Sequence, residues 1–422
     1  MENNLTETQA TTLRNLRIRI FSLTWLSYAS YYLTRKNFAV VKSRLENDLG
    51  MSMGLLGLID TVYLVAYAIG QFVNGALGDR FGARRLLGFG MLGSAGLAVI
   101  CGSTSLAGVF VAAFAANGLF QATGWPNNVK AMAWWFGSRS RGWVMGVWST
   151  CYQFGGLIAT ALATWLLVQF GWRYAFFGPA IWVAAVGAIL LFFLVEKPQD
   201  RGLPPTDPEA THRPGTPGGT EQRFFAILKL PTVWFLGSAY AGLKLIRYSI
   251  LMWLPYYLIN ALHYDEGTAG YLSVSFEVGG IVGAVVTGWV SDRWFPARRA
   301  LLAAPMIFGL ALALLLYRNV GEIGIWANGL SMALVGFMLF GPDALLSGAA
   351  AQDLGGGARS ASAAGIINGL GSLGAIFQGY VTTTISSKWG WESLFTFFVW
   401  TAMFAAALLF PIAMKSIKSH SP

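Results

Sequence analysis

Residues 75–85 read GALGDRFGARR, and residues 288–299 read GWVSDRWFPARR. Each stretch follows a long apolar run, and the aspartates Asp79 and Asp292 stand 213 positions apart in a chain of 422 residues. A signature that returns after half the chain is the mark of an internal duplication. Working outward from the two copies, apolar runs and breakers divide the sequence into twelve expected helices with rough limits 18–41, 53–75, 86–103, 106–136, 142–170 and 174–195, then 230–260, 267–290, 299–317, 323–352, 360–387 and 391–414. Each signature closes the second helix of its set of six. Two six-helix repeats are a pattern of membrane transporters that bind their substrate between the halves.

Composition agrees with a chain that lives in a bilayer. Hydrophobic residues make up 55% and charged residues only 11%, with a mean hydropathy of +0.54. Soluble domains carry roughly 25% charged residues, so an ordinary soluble enzyme, a disordered chain and a fibrous one are excluded. The 17 tryptophans suit the aromatic belts of a membrane protein. One span needs about 20 apolar residues, and twelve fit comfortably. The expected fold is an all-α polytopic membrane protein.

The expected halves are residues 1–196 and 227–422. Residues 197–226, rich in Pro, Gly and charge, read as a cytoplasmic linker. The net charge of +10 is spread over short loops, which argues against a nucleic-acid partner. With the N-terminus inside, about 19 of the Lys and Arg residues fall in cytoplasmic segments and about five in outer loops, namely Lys42, Arg44, Arg173, Arg318 and Lys388. Both termini are therefore expected in the cytoplasm. The two cysteines, Cys101 and Cys151, lie in apolar runs, and the three histidines are scattered. Neither gives a metal-ligand pattern or a disulfide framework. No cofactor and no catalytic nucleophile are expected, and the polar N-terminus does not read as a signal peptide.

Six plus six helices, with G-x-x-x-D-R-x-G-x-R-R after the second, resemble the major facilitator superfamily. The resemblance implies that fold, with two pseudo-symmetric halves. It assigns Asp79, Arg80, Asp292 and Arg293 a gating or structural role at the cytoplasmic helix ends rather than substrate contact.

Ionisable side chains inside spans are costly and mark functional sites. The basic ones are Arg35, Lys36, Lys130, Lys244 and Arg247, and the acidic ones are Asp60, Glu277 and Asp343. This excess of positive charge calls for an anionic ligand. Arg35 and Arg247 stand 212 residues apart, nearly the offset of the two aspartates, so each holds an equivalent place in the first helix of its half. A guanidinium suits phosphate because its planar fork donates paired hydrogen bonds. The plainer readings are that Arg35 snorkels to the outer interface and that Arg247 is bound in an internal ion pair, for instance with Glu277. Glu277 and Asp343 read either as proton sites or as members of internal charge pairs. Tyr28, Tyr32 and Arg35 share one helix face, as do Lys244 and Arg247.

The segments YYLTRKNFAVVKSRL (31–45), GWPNNVKAMAWWFG (124–137), KPQDRGLPP (197–205), LIRYSILMWLPYYL (245–258), FEVGGIVG (276–283) and GPDALLSGAAAQDLG (341–355) resemble the organophosphate:phosphate antiporters, in order and along nearly the whole chain. The resemblance implies that Arg35 and Arg247 bind phosphate, with Tyr28 and Tyr32 in the cavity. It implies a basic residue at Lys130, puts Tyr152 in the place of a substrate-linked histidine, and matches Glu277 to an acidic position. Lys36, Lys244 and Gln153 complete the expected substrate-binding set. The chain departs from relatives at Gln71, where the glycerol-phosphate branch has lysine, and at Met252, where the bacterial transporters have aspartate.

The expected function is exchange of a phosphorylated metabolite (a sugar phosphate, triose phosphate or glycerol-3-phosphate) for inorganic phosphate by alternating access. A monomer in an inner or plasma membrane is expected. Two other readings fit the same residues: a hexose-phosphate sensor of the same family, and a proton-coupled transporter of another organic anion.

Overall fold

The computed structural model describes the backbone of residues 6–136, 144, 147, 148, 150–204, 230–294, 299–346 and 350–418. Among the described residues there is no strand. The helices are α1 (Glu7–Tyr31), α2 (Asn37–Leu49), α3 (Met53–Phe81), α4 (Ala83–Ser103), α5 (Ala107–Gln121), α6 (Gly124–Trp135), α7 (Thr150–Phe170) and α8 (Tyr174–Phe193), then α9 (Pro231–Asn260), α10 (Glu266–Trp294), α11 (Arg299–Val320), α12 (Ile325–Ala344) and α13 (Ala350–Lys418). The chain divides into two compact units, Met1–Met51 with Val62–Pro214, and Ser52–Thr61 with Gly215–Pro422. Each has its own apolar core, centred on residues such as Trp135 and Trp148 in the first and Phe276, Tyr317 and Phe398 in the second.

Among the described residues, nine helical stretches are long and apolar enough to cross a membrane. The α1 and α9 stretches, where the first and seventh spans were expected, are not among them. They carry Arg14, Arg17 and Arg19, and Lys244 and Arg247, respectively. Charge of this kind is tolerated in a span that faces protein or a polar cavity rather than lipid, and 17 of the 30 residues of α9 are buried.

The first expected span, 18–41, is not one helix. It breaks into α1, a 3₁₀ turn at Tyr32–Thr34, and α2. A broken helix frees backbone carbonyls, and within a bilayer each must find a partner. Here the Gln121 amide donates to the Tyr31 carbonyl at 2.9 Å and to Thr34 Oγ1 at 2.8 Å, and the Asn117 amide donates to the Thr34 carbonyl at 2.9 Å. Ser94 closes this buried set at 2.9 Å from Thr34 Oγ1. Because α2 runs on past residue 41, Lys42 is not a loop residue: it is fully buried, its ammonium 5.0 Å from the Phe38 ring centre. The fourth expected span, 106–136, is likewise interrupted, at Ala122 and Thr123, where the Thr123 hydroxyl takes the Phe120 carbonyl and meets the Tyr31 hydroxyl at 2.6 Å.

The last two expected spans form one unbroken helical assignment of 69 residues, α13. A straight helix of that length would reach about 100 Å. The chain instead doubles back at Gly390, whose φ of 82° only glycine adopts at little cost. Before the bend α13 climbs α9, with Leu370 against Gly237 and Thr382 bonded to Ser249, and just past it Trp391 packs against Tyr256 and Tyr257. After it, Thr401 and Ala405 return to Gly242.

In each unit one glycine lets a helix approach, at backbone distance, the helix that leads into or carries the arginine. A methyl group on Gly155 (α7) would lie 2.6 Å from the Ala29 carbonyl oxygen of α1. One on Gly374 (α13) would overlap the Ala241 carbonyl of α9. The duplication seen in the charges therefore extends to the packing.

Candidate functional site

In the first unit the site centres on Arg35. The 3₁₀ turn ends there, so its side chain leaves from a break in the helix rather than from a regular face. Arg35 is 8% exposed. Its Nε donates to the Tyr63 hydroxyl at 2.5 Å. Its Cζ lies 4.6 Å from the ring centre of Tyr67, 5.1 Å from that of Tyr32 and 5.7 Å from that of Tyr63. Ring faces and one hydroxyl hold the cation in place, and among the described residues no carboxylate neutralises it. Tyr28 stacks edge-on against Tyr32 at 6.0 Å and against Trp125 at 5.4 Å, so it builds the wall behind that cage.

Tyr63 and Tyr67 are site residues that the sequence reading missed. They stand four apart on one face of α3, the same sequence spacing as Tyr28 on α1 and Tyr32 in the 3₁₀ turn that follows it, and that match was the available signal. Lys36 is buried at the start of α2. On α7, Gln153 is buried, and Tyr152 packs half-buried against the core of the unit, where Gly155 seats α7 on α1.

Lys130 is not brought to this cage. Its Nζ donates to the Gly78 carbonyl at 2.9 Å, and Gly78 lies 15 residues, or about 22 Å, along α3 from Tyr63. Lys130 instead lines a cavity at the end of the unit together with Arg80, whose guanidinium lies 5.3 Å from the Phe81 ring centre. Arg293 is exposed at the end of α10. Asp79 and Asp292 lie outside the residues whose side chains are described.

The second unit is built differently. Arg247 sits in the unbroken α9, and its Nη1 donates to Asp343 Oδ2 at 2.8 Å. Phe340, one turn before Asp343 on α12, places its ring centre 4.5 Å from the same guanidinium. Of the two readings for Asp343, proton site or charge-pair member, the geometry shows the pair, with Arg247 as its partner. Glu277 is buried on α10 beside Phe276, whose ring meets Phe340 at 5.3 Å. Lys244 donates to Asn368 Oδ1 at 2.8 Å and lies 4.9 Å from the Tyr240 ring centre.

Phe340 and Asn368 were also missed, since an aromatic and an amide on distant helices carry no spacing signal. So was Gln378. It is fully buried on α13 between the turns that meet Ala241 and Ser249, and both atoms of its amide lack a hydrogen-bond partner among the described residues.

Each unit thus offers one guanidinium, Arg35 buried and Arg247 half-buried, in a helical scaffold with the character of a multi-pass membrane protein: the class is a membrane transporter. The sequence profile of the Major Facilitator Superfamily matches residues 24–379. The chain is 31% identical to sugar phosphate exchanger 3 of Bos taurus, covering 94% of this chain and 92% of the relative. It is 30% identical to a probable hexose phosphate transport protein of Chlamydia pneumoniae, covering 94% and 90%. It is 33% identical to putative glycerol-3-phosphate transporter 2 of Arabidopsis thaliana, covering 95% and 87%. A solved bacterial homologue of the human lysosomal transporter Spinster, inward-facing and occupied, shares the fold with a TM-score of 0.74 at 15% identity, over 94% of this chain and 97% of that one. The chain belongs to the organophosphate:phosphate antiporters of the major facilitator superfamily.

Proposed function

We propose that this protein exchanges a phosphorylated metabolite (a sugar phosphate, triose phosphate or glycerol-3-phosphate) for inorganic phosphate by alternating access. The observation that carries this reading is Arg35: a buried guanidinium held by phenol rings, without a neutralising carboxylate among the described residues. Such a group is set to receive an anion. Its counterpart Arg247 and the neighbouring Lys244 supply the second set of donors, with Lys36 adding potential. Tyr28, Tyr32, Tyr152 and Gln153 meet the organic part. Lys130, Arg80, Asp79, Asp292 and Arg293 work at the helix ends, away from the phosphoryl group.

Exchange rather than one-way flux has a physical reason. Moving a buried, uncompensated arginine through a closed state costs several kcal/mol, and phosphate on the return step removes that cost. Halves at 1–196 and 227–422, a linker at 197–226, both termini in the cytoplasm, an inner or plasma membrane and a monomer complete the reading.

The test is radiolabelled phosphate uptake into proteoliposomes preloaded with phosphate and challenged with a panel of phosphate esters. Exchange inhibited by one ester supports the reading and names the substrate. Ligand binding without exchange would make the protein a sensor. Uptake that follows the pH gradient and ignores internal phosphate would make it a proton-coupled carrier.

A further inference from the structure

The cavity that holds Lys130 lies at one end of the first unit, far from the Arg35 cage. Its volume is about 640 Å³. The C-terminal ends of α3, α6 and α8, the N-terminus of α4 and the 3₁₀ turn at Pro198–Arg201 enclose it. Six basic side chains line it: Arg80, Arg84, Arg85, Lys130, Lys197 and Arg201. Two acids, Glu196 and Asp200, also line it, which leaves a net charge of +4. Glu196 is committed elsewhere. Its Oε1 accepts from the Arg84 backbone N–H at 3.2 Å, at the start of α4, and its carboxylate lies over Gly82, where the left-handed φ of 85° makes room for it. Among the described residues, Arg84, Arg85, Lys197 and Arg201 form no ion pair.

The rim of this cavity is apolar. Phe192 is 80% exposed, and Phe81 and Trp134 are also exposed. All three stand near the C-terminal ends of their helices, α3, α6 and α8. A soluble metabolite has no use for such a rim, whereas a lipid lays its headgroup on the charges and its chains against the rings. Clustered Lys and Arg beside a span also attract anionic headgroups through the surface potential.

We propose that this cavity is a binding site for the phosphate headgroup of an anionic phospholipid. It is distinct from the transport site and independent of which metabolite is carried.

The test uses the purified full-length protein in detergent. Native mass spectrometry compares retention of phosphatidylglycerol with that of phosphatidylcholine bearing the same chains. Wild type is expected to prefer phosphatidylglycerol by about tenfold or more. The variant R85Q/K197Q/R201Q is expected to show a preference of about twofold or less, with millimolar inorganic phosphate displacing no lipid from wild type. R201Q alone, at an exposed position, is expected to lower the preference by about threefold and covers the case in which the triple variant fails to fold. R44Q/K388Q, outside the cavity, should match wild type. Equal retention of the two lipids by wild type would overturn the proposal. So would a preference intact in R201Q and in the folded triple variant. Displacement by free phosphate would mark a site for soluble anions instead, and would equally overturn it.

Discussion

Arg247 lies 2.8 Å from a carboxylate, Asp343, that lines up one turn beyond the Phe340 ring on α12. Arg35, at the equivalent place in the other unit, rests on tyrosines instead. The two guanidiniums are therefore not equivalent receivers of an anion. A phosphate that reaches Arg35 displaces no internal anion, whereas one that reaches Arg247 competes with Asp343.

This competition predicts the behaviour of Asp343→Asn. Removing the carboxylate takes a 2.8 Å charge-assisted partner from the half-buried Arg247, at a cost of about 1–3 kcal/mol. The variant should melt below wild type in phosphate-free buffer. Added phosphate should then raise its melting temperature more than it raises that of wild type, because ligand stabilises in proportion to occupancy. Its half-saturation for phosphate should fall about tenfold, equivalent to about 1.4 kcal/mol. Thermal unfolding with and without phosphate reads both effects; a variant that phosphate does not rescue would make the pair purely structural.

Around Arg35 the chemistry is that of a single charge-assisted hydrogen bond plus ring faces. Tyr63→Phe removes the hydroxyl that accepts from Nε and should weaken phosphate binding by about 1.5–3 kcal/mol. Tyr67→Leu removes the nearest ring and should cost about 0.5–2 kcal/mol. Arg35→Lys keeps the charge but not the fork, so exchange should be lost nearly as fully as in Arg35→Ala. Phosphate counterflow in proteoliposomes measures all four, and full activity in Arg35→Lys would show that position, not geometry, is what the site needs.

The fold class, and the presence of charge within helices at Arg35 and Arg247, were legible in the sequence because each rests on a one-dimensional signal: an apolar run, or a charge inside one. The helix break at Tyr32–Thr34 was not legible. Nothing in SYYLTRKNF forbids a helix, and the break is held by Gln121, Asn117 and Ser94 on other helices. The burial of Lys42 follows from the same break. Lys130 shows the opposite failure. A basic residue after G-W-P counted as a cavity group, but its register on α6 carries it to the Gly78 carbonyl at the helix ends. Asp343 was visible as a charge, while its partner was a question of three dimensions.

Backbone contact between helices makes a separate prediction. Gly155 and Gly374 have a carbonyl where a Cβ would go, in Ala29 and Ala241 respectively. Gly374→Ala should cost about 1–3 kcal/mol, the range for overpacking, and Gly155→Ala the same or somewhat less, since its clash is milder. Gly369, also on α13, has open space around its Cβ position, so Gly369→Ala should be neutral or gain about 0.5–1 kcal/mol. Melting temperatures in detergent order the three variants, and a Gly374→Ala protein as stable as wild type would refute the close approach of α13 to α9.

The exposed start of α10 makes the pH prediction. Asp265 precedes the helix, and its Oδ1 accepts from the Thr268 backbone N–H at 2.9 Å. A hydrogen bond from the Thr268 side chain, together with those from the Thr268 and Gly267 backbone groups, holds its carboxyl below the ordinary aspartate value. A carboxyl depressed in the folded state stabilises fully above its unfolded pKa and loses that contribution as pH falls through the folded one. Asp265→Ala removes the cap and should cost about 0.5–2 kcal/mol at neutral pH. Asn caps a helix about as well as Asp but carries no charge. The advantage of wild type over Asp265→Asn should therefore be present at pH 7 and shrink as the buffer is acidified through the carboxylate range. Melting temperatures of the two proteins across that range give the comparison, and a difference that stays constant with pH would show that the charge of Asp265 contributes nothing to the start of α10.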